Sequence, residues 1–292
     1  MMKEQTTTAV FQRDIKEHWM VRFGERGFPH VQQAWVLDPG RWKDWDPFIL
    51  MAEDWFKRGT FSDHPHRGFQ TVTYVVDGRL EHIDNAGGHS IMEAGDVQYM
   101  NAGWAARHAE EAVDDEIIHT LQVWLNLPKS LKKSPTTYQE IYVEDVPRVP
   151  FDGGAIKVYS GEFAGVKGPL ESLVPITMAE INFAPGAAYT HLLPENHNAY
   201  LYVLSGELEF GDSRTVLNKK SVALLTFNEN GDEKNTSELI IKANTRSKVL
   251  IYSGVPIKEE VVAHGPFVMN TMDEIQQAFR DYHAGKFGPP AV

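Results

Sequence analysis

The stretch TYVVDGRLEH at residues 73–82 returns, altered but legible, as LYVLSGELEF at residues 201–210. Tyr74 matches Tyr202, Gly78 matches Gly206, Leu80 matches Leu208 and Glu81 matches Glu209, at a constant offset of 128 residues. Ten residues of such similarity can arise between any two hairpins. An offset near half of a 292-residue chain instead points to a duplicated unit. Each copy is a β-branched and aromatic run broken at a glycine, the pattern of an antiparallel strand entering a tight reversal. Other runs follow the same grammar. Residues 71–76 end at Asp77-Gly78, residues 121–125 alternate before Pro128, and residues 176–183 end at Pro185-Gly186. Residues 199–204 and 248–252 end at Ser205-Gly206 and Ser253-Gly254. The chain therefore reads as all-β, a pair of sandwiches or barrels in tandem.

One helix is expected, at the C-terminal end. Thr271 and Glu274 have the spacing of a capping box, and Met272, Ile275, Phe279 and Tyr282 recur at helical spacing until Gly285. Residues 130–152 are rich in Pro and Gly and read as the connection between halves. The expected division is residues 1–135 and 136–292, with the helix in the second unit.

The 28 Lys and Arg residues against 40 Asp and Glu give a net charge of −12, a poor footing for a phosphate backbone. No direct nucleic-acid partner is expected. With no cysteine in the chain, disulfides, thiolate metal sites and cysteine nucleophiles are excluded. The first residues lack the apolar core of a secretory signal, and no run approaches the roughly 18–20 apolar residues of a membrane helix. A cytoplasmic protein is expected, with the nucleus also open to it in a eukaryote. No Gly-x-Ser-x-Gly elbow is present, and Gly87-Gly88 lacks the strand, loop and lysine of a phosphate loop.

The residues that carry chemistry are His64 and His66, in HPHRGFQTV, and His108 and Glu110, in RHAEE. On an extended chain, residues two apart share a face. Two such pairs facing each other across a barrel interior bring three imidazoles and a carboxylate around one point. That donor set suits iron, manganese, nickel or copper, with zinc a further candidate, and leaves coordination positions open. The two pairs, about forty residues apart with a Gly95-Asp96 turn between them, match the cupin layout.

HPHRGFQTV, AGDVQYMNAG, the His-Ala-Glu at 108–110 and HTLQVWLNLP at 119–128 resemble the metal-domain signature of the pirin family. HGPFVMNTMDEIQQAF at 264–279 resembles that family's C-terminal signature. The resemblance implies two tandem cupin barrels (double-stranded β-helix or jelly-roll) with a short C-terminal helix. It also implies one mononuclear non-haem iron, held at the positions of His64, His66, His108 and Glu110. Two departures stand out. Trp104-Ala105-Ala106 replaces the family's usual Arg-Gly, which places an indole beside the expected pocket mouth. Gln70 replaces the usual cupin glutamate, which suits a hydrogen bond to a ligand better than ligation.

Among other histidines, His18, His30, His82, His89 and His283 read as solvated. His119 reads as a buried hydrogen-bonding residue, and His264 as an anchor for the tail. In the second unit Leu193 stands where a His-x-His partner of His191 would be, so that barrel is expected to hold no metal.

The resemblance implies an iron-dependent dioxygenase acting on a flavonol-type substrate, in the manner of a quercetin 2,3-dioxygenase, with Glu110 as both ligand and catalytic base. The alternative it implies is a non-catalytic, redox-sensitive iron protein that acts through a regulatory protein partner. A storage or stress-response barrel with vestigial metal is the third reading.

Overall fold

The computed structural model describes residues 10–24 and 31–292; His30 lies outside them. The five strands read from the sequence are all present, as Phe69–Asp77, Ile118–Asn126, Ile176–Phe183, Asn198–Ser205 and Ser247–Gly254. Four of them extend by one to three residues at each end, and Ile176–Phe183 has the bounds read from the sequence.

The strands form two jelly-roll barrels. In the first, a sheet ordered Thr137–Ile141, Val97–Asn101, Phe69–Asp77, Ile118–Asn126, Phe48–Phe56 and Val31–Leu37 packs on a smaller one. The smaller sheet runs Phe61–His66, Ala106–Ala112, Leu80–Asp84 and His89–Met92. The second barrel repeats the plan, with Ala188–Pro194 against Thr236–Ala243 as the counterpart of Phe61–His66 against Ala106–Ala112. Among the described residues no helix is long and apolar enough to cross a membrane.

The large sheets of the two barrels face each other over a shared core. Phe48, Met51, Tyr74 and Leu121 of the first pack with Tyr159, Met178, Tyr200 and Tyr252 of the second. Two buried carboxylates cross this interface reciprocally. The Tyr74 hydroxyl donates to Glu180 Oε2 at 2.6 Å, and the Tyr202 hydroxyl donates to Glu53 Oε2 at 2.5 Å. Tyr74 and Tyr202 are the matched tyrosines of the repeat, so the internal symmetry extends to the contact between the halves.

The barrel interiors differ. The second is filled with aliphatic and aromatic side chains such as Ile181, Leu193, Leu201, Leu208, Phe210 and Leu239. The first holds buried His66, His82, His108, Glu110 and Thr73. A polar interior needs hydrogen-bond or metal partners to offset its desolvation, and an apolar one does not.

Three segments cross the expected division at residue 135. Phe11–Gln12 and Ile15–Met20 join the second barrel, pairing with Thr236–Ala243 and Ser221–Leu225. Thr137–Ile141 stays with the first, against Val97–Asn101. The breaker-rich connection carries two edge strands, Thr137–Ile141 and Arg148–Phe151. The C-terminal helix, Met272–His283, carries the expected capping box of Thr271 and Glu274, yet it packs on the first barrel. Its Asp281 meets Arg67 at 2.9 Å, both side chains nearly fully buried. Met272 is half-exposed, contrary to the helical pattern, and the buried face is Ile275, Ala278 and Asp281.

Candidate metal centre

His64 and His66 lie on Phe61–His66, and His108 and Glu110 on Ala106–Ala112. These strands pair antiparallel with His108 opposite His64 and Ala106 opposite His66. A register shift between His108 and Glu110 bends the second strand beside the site. The ring centroids of His64, His66 and His108 stand 4.5–5.1 Å apart. One ligating nitrogen from each lies within 4.8 Å of the others. Glu110 belongs to an overlapping group, with His108 and His82, under the same limit.

Hydrogen bonds fix these donors. His64 Nδ1 lies 2.8 Å from the Ser62 carbonyl oxygen, so its Nδ1–H donates there and Nε2 keeps its lone pair. Glu110 is clamped on both oxygens: Thr73 Oγ1 donates to Oε1 at 3.0 Å and Gln122 Nε2 to Oε2 at 2.7 Å. Gln122 is itself oriented by Trp124 Nε1, which donates to its Oε1 at 3.0 Å. Thr73 and Gln122 carry no sequence signal of this role; only the pairing of Phe69–Asp77 with Ile118–Asn126 places them side by side.

Burial, reinforced by His64, holds the His66 imidazole well below its ordinary pKa; the Pro266 backbone opposes this weakly. Burial first, then His64, His66 and His82, does the same to His108. Both imidazoles are therefore neutral, the form that binds metal. Both nitrogens of His108 and Nδ1 of His66 are buried without a hydrogen-bond partner among the described residues. Orphaned neutral imidazole nitrogens beside a clamped carboxylate fit a transition metal taking nitrogen and oxygen donors.

A cavity of about 440 Å³ reaches this cluster. Its wall includes His64, His66, Glu110, Thr73 and Gln122, with Trp35, Leu50, Phe56, Phe61 and Trp124 supplying apolar surface. Gly265 and Pro266, from the segment after the second barrel, close one side.

Several expectations are corrected here. Trp104 does not line the cavity. Its ring stacks on the Arg67 guanidinium, 4.0 Å away, and borders a separate pocket of about 210 Å³. The turn at Gly103, with φ +44°, and the Trp104 N–H bond to the Ser134 carbonyl turn it to that side. Gln70 does not support the site either. Its Oε1 accepts from the Tyr99 hydroxyl and from Leu173 N–H of the second barrel. His82 is fully buried rather than solvated. Leu80, His82 and Asp84 alternate inward, a period of two that polar neighbours masked.

His119 pairs with Glu53 at 2.8 Å as a hydrogen-bonding residue. His264 is exposed; it ends the strand Val262–His264, which pairs with Phe267–Met269, and its ring meets that of Phe279. His18, His89 and His283 are exposed. In the second barrel His191 faces Leu239 where His64 faces His108.

Two jelly-roll barrels sharing a core, with a buried imidazole and carboxylate cluster in the first, define a bicupin with a candidate metal centre. Comparison with known proteins makes this specific. The Pirin family model matches residues 38–125 and the Pirin C-terminal cupin domain matches residues 178–288. Human Pirin is 36% identical over 252 residues, 84% of each chain. A crystal structure from Geobacillus kaustophilus is 37% identical, with a TM-score of 0.82, covering 87% of this chain and 100% of that one. A quercetin 2,3-dioxygenase from Acinetobacter baumannii is 30% identical with a TM-score of 0.82, covering 95% and 99%. The chain belongs to the pirin family.

Proposed function

We propose that the protein is an iron-dependent dioxygenase of flavonol-type substrates, with the metal held by His64, His66, His108 and Glu110. The observation that carries this reading is the apolar, tryptophan-lined cavity ending on His64, His66 and the clamped carboxylate of Glu110, with His108 buried beside them. The resemblance to the Acinetobacter quercetin 2,3-dioxygenase supports the substrate class. Iron bound there would supply Lewis acidity, open adjacent coordination positions and one-electron chemistry toward dioxygen.

The chain's own residues do the rest. A flavonol carries a hydroxyl next to a carbonyl on a flat ring system. The indoles of Trp35 and Trp124 offer faces for those rings, while the apolar wall excludes water. Glu110, at the cavity wall, takes the hydroxyl proton on a carboxylate oxygen. Thr73 and Gln122 keep that carboxylate aimed as it does so.

The test is aerobic quercetin consumption per bound iron, in wild type and Glu110→Gln. The iron-loaded wild type is expected to exceed free iron clearly. Glu110→Gln is expected to lose about a hundredfold to ten-thousandfold in rate, more than it loses in metal, as for removal of a general base. No consumption above free iron by the loaded wild type would overturn the oxygenase reading in favour of a non-catalytic iron protein. Equal rates per iron would remove Glu110 as the base.

A further inference from the structure

His82 and Asp84 have no part in the four-ligand centre, yet they sit against it. They share the inward face of Leu80–Asp84, beside the strand that carries His108 and Glu110. In that register Glu110 stands opposite His82, and His108 opposite Asp84. Four polar side chains therefore occupy one patch of the barrel wall, each at most 5% exposed. Burying so many polar groups together is costly unless something satisfies them.

Asp84 is rigid. Its Oδ1 accepts the backbone N–H groups of Ala86 at 2.7 Å and Gly88 at 3.1 Å, and its Oδ2 lies 3.4 Å from His82 Nε2. This fixes the ring of His82 by one nitrogen. The other, Nδ1, is buried with no hydrogen-bond partner among the described residues. A carboxylate behind one imidazole nitrogen, with the opposite nitrogen left as a lone pair, is how proteins orient metal-binding histidines.

We propose that His82, His108 and Glu110 form a second, inner seat for a divalent transition metal, adjoining the trio of His64, His66 and His108 that Glu110 completes in the four-ligand outer seat. The proposal rests on the metal reading of the site given above. Ligating atoms of each trio lie within 4.8 Å of one another. Bond lengths of about 2.0–2.2 Å from one ion put neighbouring donors about 3–3.6 Å apart, so these side chains draw together on binding. The trios share His108, and through it the two seats adjoin. The seats differ in access. His64, His66 and Glu110 line the cavity, whereas His82 and His108 do not. The outer seat meets substrate; the inner seat holds the ion back from it.

The experiment titrates metal-free protein with cobalt(II), reading affinity and the visible absorption of the bound ion, with circular dichroism checking the fold. Variants are His64→Ala, His82→Phe, the pair together, and Asp84→Asn in the His64→Ala background. Asp84→Asn keeps an oxygen for the two turn amides while removing the acceptor from His82. Wild type is expected to bind one cobalt per chain. His64→Ala is expected to keep a site about ten- to hundredfold weaker with an altered spectrum. Adding His82→Phe should abolish that residual site, and adding Asp84→Asn should weaken it at least about tenfold. Residual binding in His64→Ala that neither change affects would overturn the inner seat while leaving the outer one intact. Loss of all binding in His64→Ala alone would do the same. Failure of wild type itself to bind would overturn the metal centre altogether.

Discussion

At the scale of single residues, the expected ligands contribute differently. His66 and His108 are buried, neutral and orphaned like His191, but only they stand within ligating reach of further donors among the described residues. His66→Ala and His108→Ala should each lose most bound metal, by elemental analysis of protein purified without added metal, while unfolding cooperatively. Full occupancy in both would exclude the assignment. Glu110 is held by two neighbours, and their removal should act through it. Thr73→Val keeps the shape and deletes one donor; Gln122→Leu deletes the other. Each should weaken metal binding about ten- to hundredfold, the usual effect of removing a group that orients a ligand, and Thr73→Ser should restore it. The grouping of these candidate ligands was legible, because two-residue spacing on a strand puts side chains on one face wherever the strand lies. Thr73, Gln122 and His82 were not, because their proximity to Glu110 comes from strands 37, 12 and 28 residues away in the chain. The mouth was misassigned for a related reason. Being near the ligands in sequence put Trp104 there, while the turn at Gly103 sends it to Arg67 and a separate pocket.

At the scale of elements, the N-terminal strands show what local pattern cannot reveal. Residues 71–76 or 176–183 announce themselves as strands through their own side chains. Nothing in Ile15–Met20 says that its partner is Ser221–Leu225. The consequence is Arg13, 1% exposed inside the second barrel. Its Nε donates to Ser237 Oγ at 2.6 Å, and its terminal nitrogens donate to the carbonyl oxygens of Thr226, Pro194, Glu195 and His197. The guanidinium is close enough to lower the pKa of both His191 and His197, so a built-in cation stands beside these two buried histidines. Hydrogen bonds to a charged donor contribute about 1.5–3 kcal/mol each, and truncation leaves several buried acceptors unsatisfied. Arg13→Ala should therefore cost at least about 3 kcal/mol, and the melting temperature should drop by roughly 6–12 °C. Metal content per folded chain should stay unchanged, because the centre lies in the other barrel. A melting temperature equal to wild type would show that the strand does not close the barrel.

At the scale of the whole molecule, the duplicated sequence and the joined core are one fact seen twice. Tyr74 and Tyr202 match in the repeat and each donates to a buried glutamate of the opposite barrel. The repeat was legible, but its reciprocal contact was not, since Glu53 and Glu180 sit in strands whose apolar residues dominate their pattern. The barrels diverge inside, and this divergence has a consequence for stability. His191 is fully buried against Phe163, and His197 is nearly so. Burial first, and Arg13 second, push their pKa values down to about 3 and about 4 from the ordinary 6.5; Glu233, 3.9 Å from His197, is exposed and weakly opposed to this. In the folded chain these rings stay neutral, while in the unfolded chain they protonate below pH 6.5. The unfolded state then binds more protons, so their contribution is complete above pH 6.5 and is lost as pH falls toward 4 and then 3. His191→Phe keeps the stacking on Phe163 and removes one such group. Midway, near pH 5, it should reduce the slope of unfolding free energy against pH by about 1.4 kcal/mol per unit, one proton's share. Urea unfolding of metal-free protein at closely spaced values between pH 4.5 and 5.5 measures that slope in wild type and variant. Metal-free protein is required because His66 and His108 titrate in the same direction when no ion holds them. Parallel curves would mean that His191 is not held neutral in the folded chain.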